Sequence, residues 1–254
     1  MRQIAVLFLL LILPAAHAAQ WRVVPGESLA DVVQRAAPGD EIIVERGVYA
    51  GNLQIDKPLT LSGHNRPTLH GGNHGDVIRI TAPDVTVQGF IVTHSGDDLE
   101  KQNAGIYVYP GSHRALIRNN DIAYSLFGLW IEKANDVRVE NNLITGKRDI
   151  LSSMRGNGIQ LYNTSGAKII GNRICFTRDA IYVDVSHHAL FRGNHMHHSR
   201  YGTHYMNSYH NVWEYNQTYL NRAGLALMEV RNQIVRYNIA WGNSDHGIML
   251  RTIQ

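Results

Sequence analysis

Three consecutive stretches indicate the fold: KIIGNRICFTRDAIYVDVSHHA (residues 168–189), LFRGNHMHHSRYGTHYMNSYHN (190–211) and VWEYNQTYLNRAGLALMEVRNQ (212–233). An Asn is fifth in each stretch, and a small residue is thirteenth and opens a run of alternating apolar side chains. Working outward, the Asn recurs at intervals of 22, 30, 22, 22 and 22 residues, at Asn120, Asn142, Asn172, Asn194, Asn216 and Asn238. A repeat of this length that contains only strands and turns predicts an all-β fold, a right-handed parallel β-helix with about 22 residues per coil.

The alternation also predicts which side chains fill the coil. Residues two apart on a strand share a face, so five apolar pairs should point inward. These pairs are Leu129/Ile131, Ile159/Leu161, Ile181/Val183, Leu225/Leu227 and Ile248/Leu250. Equivalent positions on successive coils stack ~4.8 Å apart, so we expect the Asn column to be structural, with side chains that hydrogen-bond along the axis.

The two ends of the chain differ from the repeat. Residues 1–19 have the pattern of a signal peptide, with an early Arg2, a short apolar run and small residues before the cleavage point, which predicts export to the periplasm. Residues 20–80 are predicted to form an N-terminal cap, with a helix from Ser28 to Ala37, and the first coils. Residues 81–254 are predicted to be regular coils that continue beyond a truncated C-terminal end, since Gln254 directly follows a strand.

Composition excludes some classes of function. The net charge is only +3 and no run of Lys or Arg is present, so nucleic acid is not an expected partner. The single Cys175 cannot form an internal disulfide, so stability must come from the stacked core. No later stretch has the ~20 apolar residues of a membrane span, and we expect membrane association only through partners.

Two coils carry eight extra residues at the same corner, in segments 95–103 and 147–157. Insertions at one corner of a solenoid project on one side, where binding loops are commonly found. A surface loop without a function would have the same pattern. The charged residues predicted to contact a partner are Asp97, Asp98, Lys147 and Arg148.

The outward positions of the second strand carry unusually large side chains. The early coils place an aromatic row there, which suits a protein interface or sugar rings and which we assign to partner binding: Trp130, Tyr162 and Tyr182. The later coils place a set of soft donors there that suits copper, particularly Cu(I): His204, Met206, Met228 and Met249. Packing beneath a loop or a partner would explain the same face without a metal.

Seven of the fourteen histidines fall between His187 and His210. Residues 22 apart lie on adjacent coils, so paired turn histidines could share a metal, and Cys175 is equivalent to His197 in the same way. Turn histidines satisfied by local hydrogen bonds are the alternative. The second-choice metal ligands are His188, His195, His197 and His210.

Catalysis on an acidic polysaccharide is a second hypothesis, because such chemistry needs an outward carboxylate, a base and a cation in a groove. The available residues are Asp184, Tyr182, His204 and Arg251. A compact group of acids is missing, since Asp184 stands almost alone on its face.

The signal, the capped start and three segments of the coils resemble the NosD family. The segments are AIYVD (180–184), HMHHSRYGTHYM (195–206) and DHGIML (245–250), and the part rich in His and Met is the most specific. The resemblance implies a periplasmic β-helix accessory protein of nitrous-oxide reductase maturation. It implies transient binding of copper, and as partners an ABC transporter, a copper chaperone lipoprotein and the reductase.

We therefore predict a non-enzymatic copper-handling maturation factor. The alternative is a polysaccharide lyase or C5-epimerase that acts on an acidic polysaccharide.

Overall fold

The computed structural model describes residues 18–253, so the predicted signal peptide lies almost entirely outside the described residues. Within that range, the regular structure is strand apart from one α-helix and one 3₁₀ turn, Ser152–Met154. The elements in chain order are β1 (Gln20–Val23), α1 (Leu29–Arg35), β2 (Glu41–Val44), β3 (Val48–Ala50), β4 (Leu53–Ile55), β5 (Thr60–Gly63), β6 (Thr68–His70), β7 (Ile78–Ile80), β8 (Thr86–Gln88), β9 (Ile91–Thr93), β10 (Ala104–Val108), β11 (Leu116–Arg118), β12 (Asp121–Ala123), β13 (Phe127–Glu132), β14 (Arg138–Glu140), β15 (Leu143–Thr145), β16 (Ile159–Tyr162), β17 (Lys168–Ile170), β18 (Arg173–Cys175), β19 (Asp179–Asp184), β20 (Leu190–Arg192), β21 (His195–His197), β22 (Tyr201–Met206), β23 (Val212–Glu214), β24 (Gln217–Tyr219), β25 (Ala223–Val230), β26 (Ile234–Arg236), β27 (Ile239–Trp241) and β28 (His246–Ile253).

The strands form three parallel sheets along the stack of coils. Sheet A has the order β1-β2-β5-β8-β11-β14-β17-β20-β23-β26, sheet B runs from β3 to β27 in steps of three strands, and sheet C runs from β4 to β28 in the same steps. From β2 onward, neighbours in one sheet are therefore separated in the chain by one strand of each other sheet. The predicted parallel β-helix is confirmed, and its 22-residue register is seen in pairs such as Ile169 with Phe191.

The inward side chains fill the coil as the alternation predicts. Four of the five predicted pairs are buried, with at most 2% of any side chain exposed. The exceptions are Ile248 and Leu250, which are 49% and 63% exposed. Both lie on β28, over which no further described strand is paired.

The Asn column is a continuous hydrogen-bonded ladder. Asn194 Oδ1 accepts from the backbone N–H of Asn172 at 3.0 Å and from its Nδ2 at 3.1 Å. Asn194 Nδ2 donates to Asn216 Oδ1 at 2.9 Å and to the Ile169 carbonyl at 2.8 Å. Each buried Asn thus satisfies backbone groups that the corner leaves without a strand partner, and the predicted structural role is confirmed.

The predicted N-terminal helix is also confirmed, as α1. The side chain of Ser28 accepts a hydrogen bond from the Asp31 N–H, which caps the first turn. Leu29, Val32 and Val33 form its buried face. Within residues 18–253, no helix has the length and apolar character that crossing a bilayer requires.

The two insertions contact each other. The Lys147 ammonium forms an ion pair with Asp97, and the Lys147 side chain is only 10% exposed. Because one partner belongs to each insertion, the pair ties the two loops together beside the outer face of sheet C.

We predict that Asn194→Leu destabilises the fold by about 3 kcal/mol, since several buried groups lose their partners at about 1–3 kcal/mol each. Chemical denaturation monitored by circular dichroism measures the change. The control is Asn135→Leu, at an exposed Asn that accepts one bond from the Ser165 N–H. Equal, small effects of the two substitutions would contradict the role of the ladder.

Candidate functional site

The outer face of sheet C presents two columns of side chains. The first column runs Tyr107, Trp130, Gln160, Tyr182, His204, Ala226 and Met249. The second column runs Glu132, Tyr162, Asp184, Met206, Met228 and Arg251. These columns hold both the predicted aromatic row and the predicted soft donors.

The four first-choice metal ligands divide between the columns. His204 and Met249 belong to the first column and are separated by the small, buried Ala226. Met206 and Met228 follow one another in the second column, directly after the paired residues Tyr205 and Leu227. Met206 is also within reach of the first column, because the Tyr182 hydroxyl donates to its Sδ at 3.6 Å.

His204 is held by two residues that the sequence reasoning missed. Its Nδ1 lies 3.1 Å from Oδ2 of Asp179, and Arg200 binds both oxygens of that carboxylate, at 2.8 and 2.6 Å. Asp179 begins β19 and pairs with Tyr201, which directly follows Arg200. Arg200 lies outside the paired strand residues, so the strand register alone does not indicate its contact with Asp179.

The carboxylate of Asp179 is buried, with 1% of its side chain exposed. Burial raises the pKa of Asp179, but the hydrogen bonds from His204 and Arg200 outweigh burial and hold the pKa below its ordinary value. When Nδ1 of His204 donates to this carboxylate, Nε2 keeps a lone pair that can bind a metal or accept a proton.

The two columns offer soft metal ligands, but they do not offer a full set of the usual His, Cys, Asp or Glu ligands. One imidazole and the neighbouring thioethers suit a soft ion such as Cu(I) better than an ion that prefers oxygen ligands. Among residues 18–253, no three His, Cys, Asp or Glu side chains come together as a metal-binding group. Any ion held here would therefore depend on the Met sulfurs.

Two of the second-choice histidines lie at coil corners and stack, and the other two lie on β21. His188 and His210 have centroids 5.1 Å apart and planes that differ by 4°. Imidazole lone pairs lie in the ring plane, so two parallel rings do not direct them at one point between the coils. His195 lies on the outer face of sheet B, beside Arg173 and Gln217.

His197 is the most buried of the second-choice histidines. Its ring stacks on Tyr219 with centroids 4.9 Å apart, and its Nδ1 lies 2.7 Å from Nδ1 of His198. Burial, with nearby His198 and Arg173, lowers the pKa of His197 to about 4. Cys175 is its paired residue on the preceding coil, as expected, and burial raises the pKa of that thiol.

Most of the predicted partner-binding residues border one face. Asp97 and Asp98 line a cavity of about 570 Å³ with Tyr107 and Tyr109. A neighbouring cavity of about 440 Å³ is lined by the predicted aromatic residues Trp130, Tyr162 and Tyr182. Arg148 is the exception, since its guanidinium lies 3.9 Å over the Phe176 ring at a corner of sheet B.

Arg251 lies apart from the other residues considered for catalysis, of which Tyr182 and Asp184 line one cavity. Tyr182 and His204 are neighbours, with ring centroids 4.7 Å apart. Asp184 and Arg251 lie in the second column with Met206 and Met228 between them. The Asp184 carboxylate instead accepts a hydrogen bond from Asn207 Nδ2 at 3.2 Å.

These features define the class: a parallel β-helix protein with a set of imidazole and thioether donors on one outer face. The same face carries an aromatic groove, lined by Trp130, Tyr162 and Tyr182. The pectate lyase Pel9A has a similar fold, with a TM-score of 0.66 and 12% identity over 87% of this chain and 71% of the lyase. At that identity the likeness shows the fold alone.

Residues 140–254, just under half of the chain, match the NosD family model, described as periplasmic copper-binding protein. Two relatives bear the name probable ABC transporter binding protein NosD. The one from Pseudomonas aeruginosa is 39% identical over 133 residues, which are 52% of this chain and 31% of the relative. The one from Stutzerimonas stutzeri is 33% identical over 133 residues, 52% of this chain and 30% of the relative. The matched segment thus spans about a third of each relative, and the predicted resemblance is confirmed for this half of the chain.

We predict that Asp179→Asn removes much of the acid sensitivity of this region. A carboxylate with a lowered folded-state pKa stabilises the protein above the ordinary pKa of about 4, and this stabilisation is lost as pH falls through the folded value. At neutral pH the substitution should cost about 3 kcal/mol, because it breaks a buried pair and leaves Arg200 without its carboxylate.

Melting temperatures between pH 7 and pH 3 measure both effects. The matched control is Asp84→Asn, which breaks an exposed bidentate pair with Arg114. A surface pair contributes little, so the control should melt close to the parent at pH 7. Similar losses for the two variants would contradict the importance of the buried pair.

Proposed function

We propose that this chain is a periplasmic copper-handling maturation factor that helps to supply copper to nitrous-oxide reductase. Its partners in this proposal are an ABC transporter, a copper chaperone lipoprotein and the reductase. The description of the matching family as periplasmic and copper-binding supports the compartment and the cargo. The names of the two relatives support the association with a transporter.

The single observation that supports the proposal is that His204, Met206 and Met228 share the outer face of sheet C on two adjacent coils. Copper is the cargo, and the chain's own groups would hold it through His204 Nε2 and the two thioether sulfurs. Thioether and imidazole ligands select soft ions, while Zn(II) prefers a closed set of thiolate, imidazole or carboxylate ligands. Met249, two coils from His204 in the first column, would be a fourth ligand during entry or exit.

The proposed site would be suited to the transfer of copper because it is open and only one of its ligands, the imidazole, is held in place. Asp179 and Arg200 fix the imidazole, whereas the Met side chains have three rotatable bonds each and can follow the ion. A site with two or three ligands and flexible sulfurs lets an ion leave, which a delivery protein requires. His188, His195, His197 and His210 are the second-choice ligands in this proposal.

The proposed partner surface lies beside the copper residues. It comprises the tied insertions, through Asp97, Asp98 and Lys147, and the aromatic residues Trp130, Tyr162 and Tyr182, while Arg148 would contact a partner only at the corner of sheet B. Aromatic side chains with a charged rim are typical of protein interfaces. A partner docked there would cover His204 and Met206 and allow copper to pass without release to solvent.

We predict that Met206→Leu combined with Met228→Leu weakens Cu(I) binding by at least about tenfold, since the substitution keeps the volume and removes two sulfur ligands. Competition with a Cu(I) chelator under reducing conditions measures the affinity. Met154→Leu is the control, because Met154 is 56% exposed in an insertion outside both columns. Unchanged Cu(I) affinity in the double variant would contradict this site, and the second-choice histidines would then be tested.

A lyase or C5-epimerase is the second candidate function. The observation that favours it is the His204–Asp179 hydrogen bond, because a carboxylate that orients an imidazole also prepares it as a general base. The observation against it is the separation of Asp184 and Arg251 along the second column.

We predict that the protein leaves alginate and pectate unchanged, with no unsaturated product in the ultraviolet and no epimerised residues by proton NMR. Purified parent protein and His204→Gln are assayed in parallel, so that a contaminating activity is recognised by its presence in both. Turnover by the parent that is lost in His204→Gln would make the protein an enzyme and move copper handling to second place.

A further inference from the structure

A small cationic cavity lies next to His204. Its volume is about 260 Å³, and the residues that line it include three arginines and one aspartate. The charged residues are Arg155, Arg178, Arg200 and Asp179. Because one acid faces three bases, the cavity has an excess of positive charge.

Two of the three guanidiniums have no carboxylate partner. Arg200 is paired with Asp179, but the side chain of Arg155 donates only to the backbone carbonyls of Ile150 and Arg148. Among residues 18–253, neither Arg155 nor Arg178 forms an ion pair, although both are partly buried. Burial lowers the pKa of Arg155, and the nearby Asp149 carboxylate offsets this effect only in part.

The cavity is built by the corner of the coils rather than by flexible surface residues. The backbone N–H of Arg178 donates to the Gly156 carbonyl at 2.9 Å, and that of Arg200 donates to the Arg178 carbonyl at 2.7 Å. The two arginines are therefore equivalent residues on adjacent coils. Arg155 enters from the insertion, next to Gly156. A Cβ at Gly156 would lie 2.5 Å from the Leu126 carbonyl oxygen, so a glycine permits this close approach.

The residues that line the groove differ between its cationic end and the adjacent cavity. The cationic cavity shares Phe127, Asn157 and Tyr182 with the adjacent cavity of about 440 Å³. The adjacent cavity adds the amides of Gln102 and Gln160, the rings of Trp130 and Tyr162, and the acids Glu132 and Asp184. Amides and aromatic faces suit a hydroxylated ring, whereas the two acids disfavour a second anion.

We propose that the groove binds a sugar acid: the carboxylate of one hexuronate unit is held by Arg155 and Arg178, and the rest of the ligand extends over the aromatic residues. Guanidinium groups match a carboxylate in shape and charge, and the shared Asn157 and Tyr182 supply partners for ring hydroxyls. This inference does not rest on copper binding, since it uses neither Met206 nor Met228. It requires recognition of the sugar acid and no turnover.

The experiment is calorimetry on the full chain with three probes. Glucuronate has both the ring and the carboxylate, glucose has the ring alone, and acetate has the carboxylate alone. Glucuronate is expected to bind at least about tenfold more tightly than either, because charged hydrogen bonds and ring contacts act together. If glucose binds as tightly as glucuronate, the role of the arginines is overturned. If acetate binds as tightly as glucuronate, the role of the sugar ring is overturned.

Variants test the assignment. Arg178→Gln should weaken glucuronate binding by at least about tenfold, and Arg155→Gln should do the same. Arg173→Gln is the matched control, since Arg173 is exposed on sheet B, away from the groove, and should bind as the parent does. Unaltered binding in Arg178→Gln, with a parental melting temperature, would overturn the proposal. Cu(I) affinity, measured on the same samples, separates this outcome from failure of the copper site.

Discussion

The hydrogen bonding between parallel strands is the constraint on which the rest of this structure depends. Once the backbone of one coil pairs with the next, each strand residue lies over its equivalent, 22 residues away in the regular coils, and a slip by one residue would turn the core outward. The corners are where this arrangement is vulnerable, because their backbone groups have no strand partner. The buried Asn ladder supplies those partners, since each amide both accepts from one coil and donates to another. The ladder thus fixes the register that the sheets use.

The same constraint limits what chemistry the surface can carry. Where neighbouring rings in one column stack with their planes parallel, as those of His188 and His210 do, their in-plane lone pairs point past each other. A converging site needs either side chains that can bend or residues from different columns. Met206 and Met228 meet the first condition. His204, Asp179 and Arg200 meet the second, because they come from a strand interior, a strand start and a corner.

Features that repeat or are local could be predicted from the sequence. The inward pairs, the Asn column and the Ser28 cap each follow from a spacing of two, of 22, or of three residues. The Asp179–Arg200 pair could not be found in this way, since both residues lie beyond the alternating run, where spacing no longer says which way a side chain points. Arg155 was missed for a different reason. It belongs to an insertion, and no equivalent residue on a neighbouring coil indicates its position.

The proposed copper and sugar-acid sites would influence one another, because both border His204. Three guanidiniums near a metal ligand repel any cation, and the repulsion rises with the charge of the ion, so the arrangement disfavours Cu(II) and Zn(II) more than Cu(I). An anion on Arg155 and Arg178 would reduce that repulsion and strengthen metal binding, and by linkage the metal would strengthen anion binding equally. Asp179 already compensates Arg200 in this way within the chain. A bound carboxylate would extend the same charge balance to the remaining two arginines, and the anionic occupant of the groove would thus control how firmly the neighbouring cation is held.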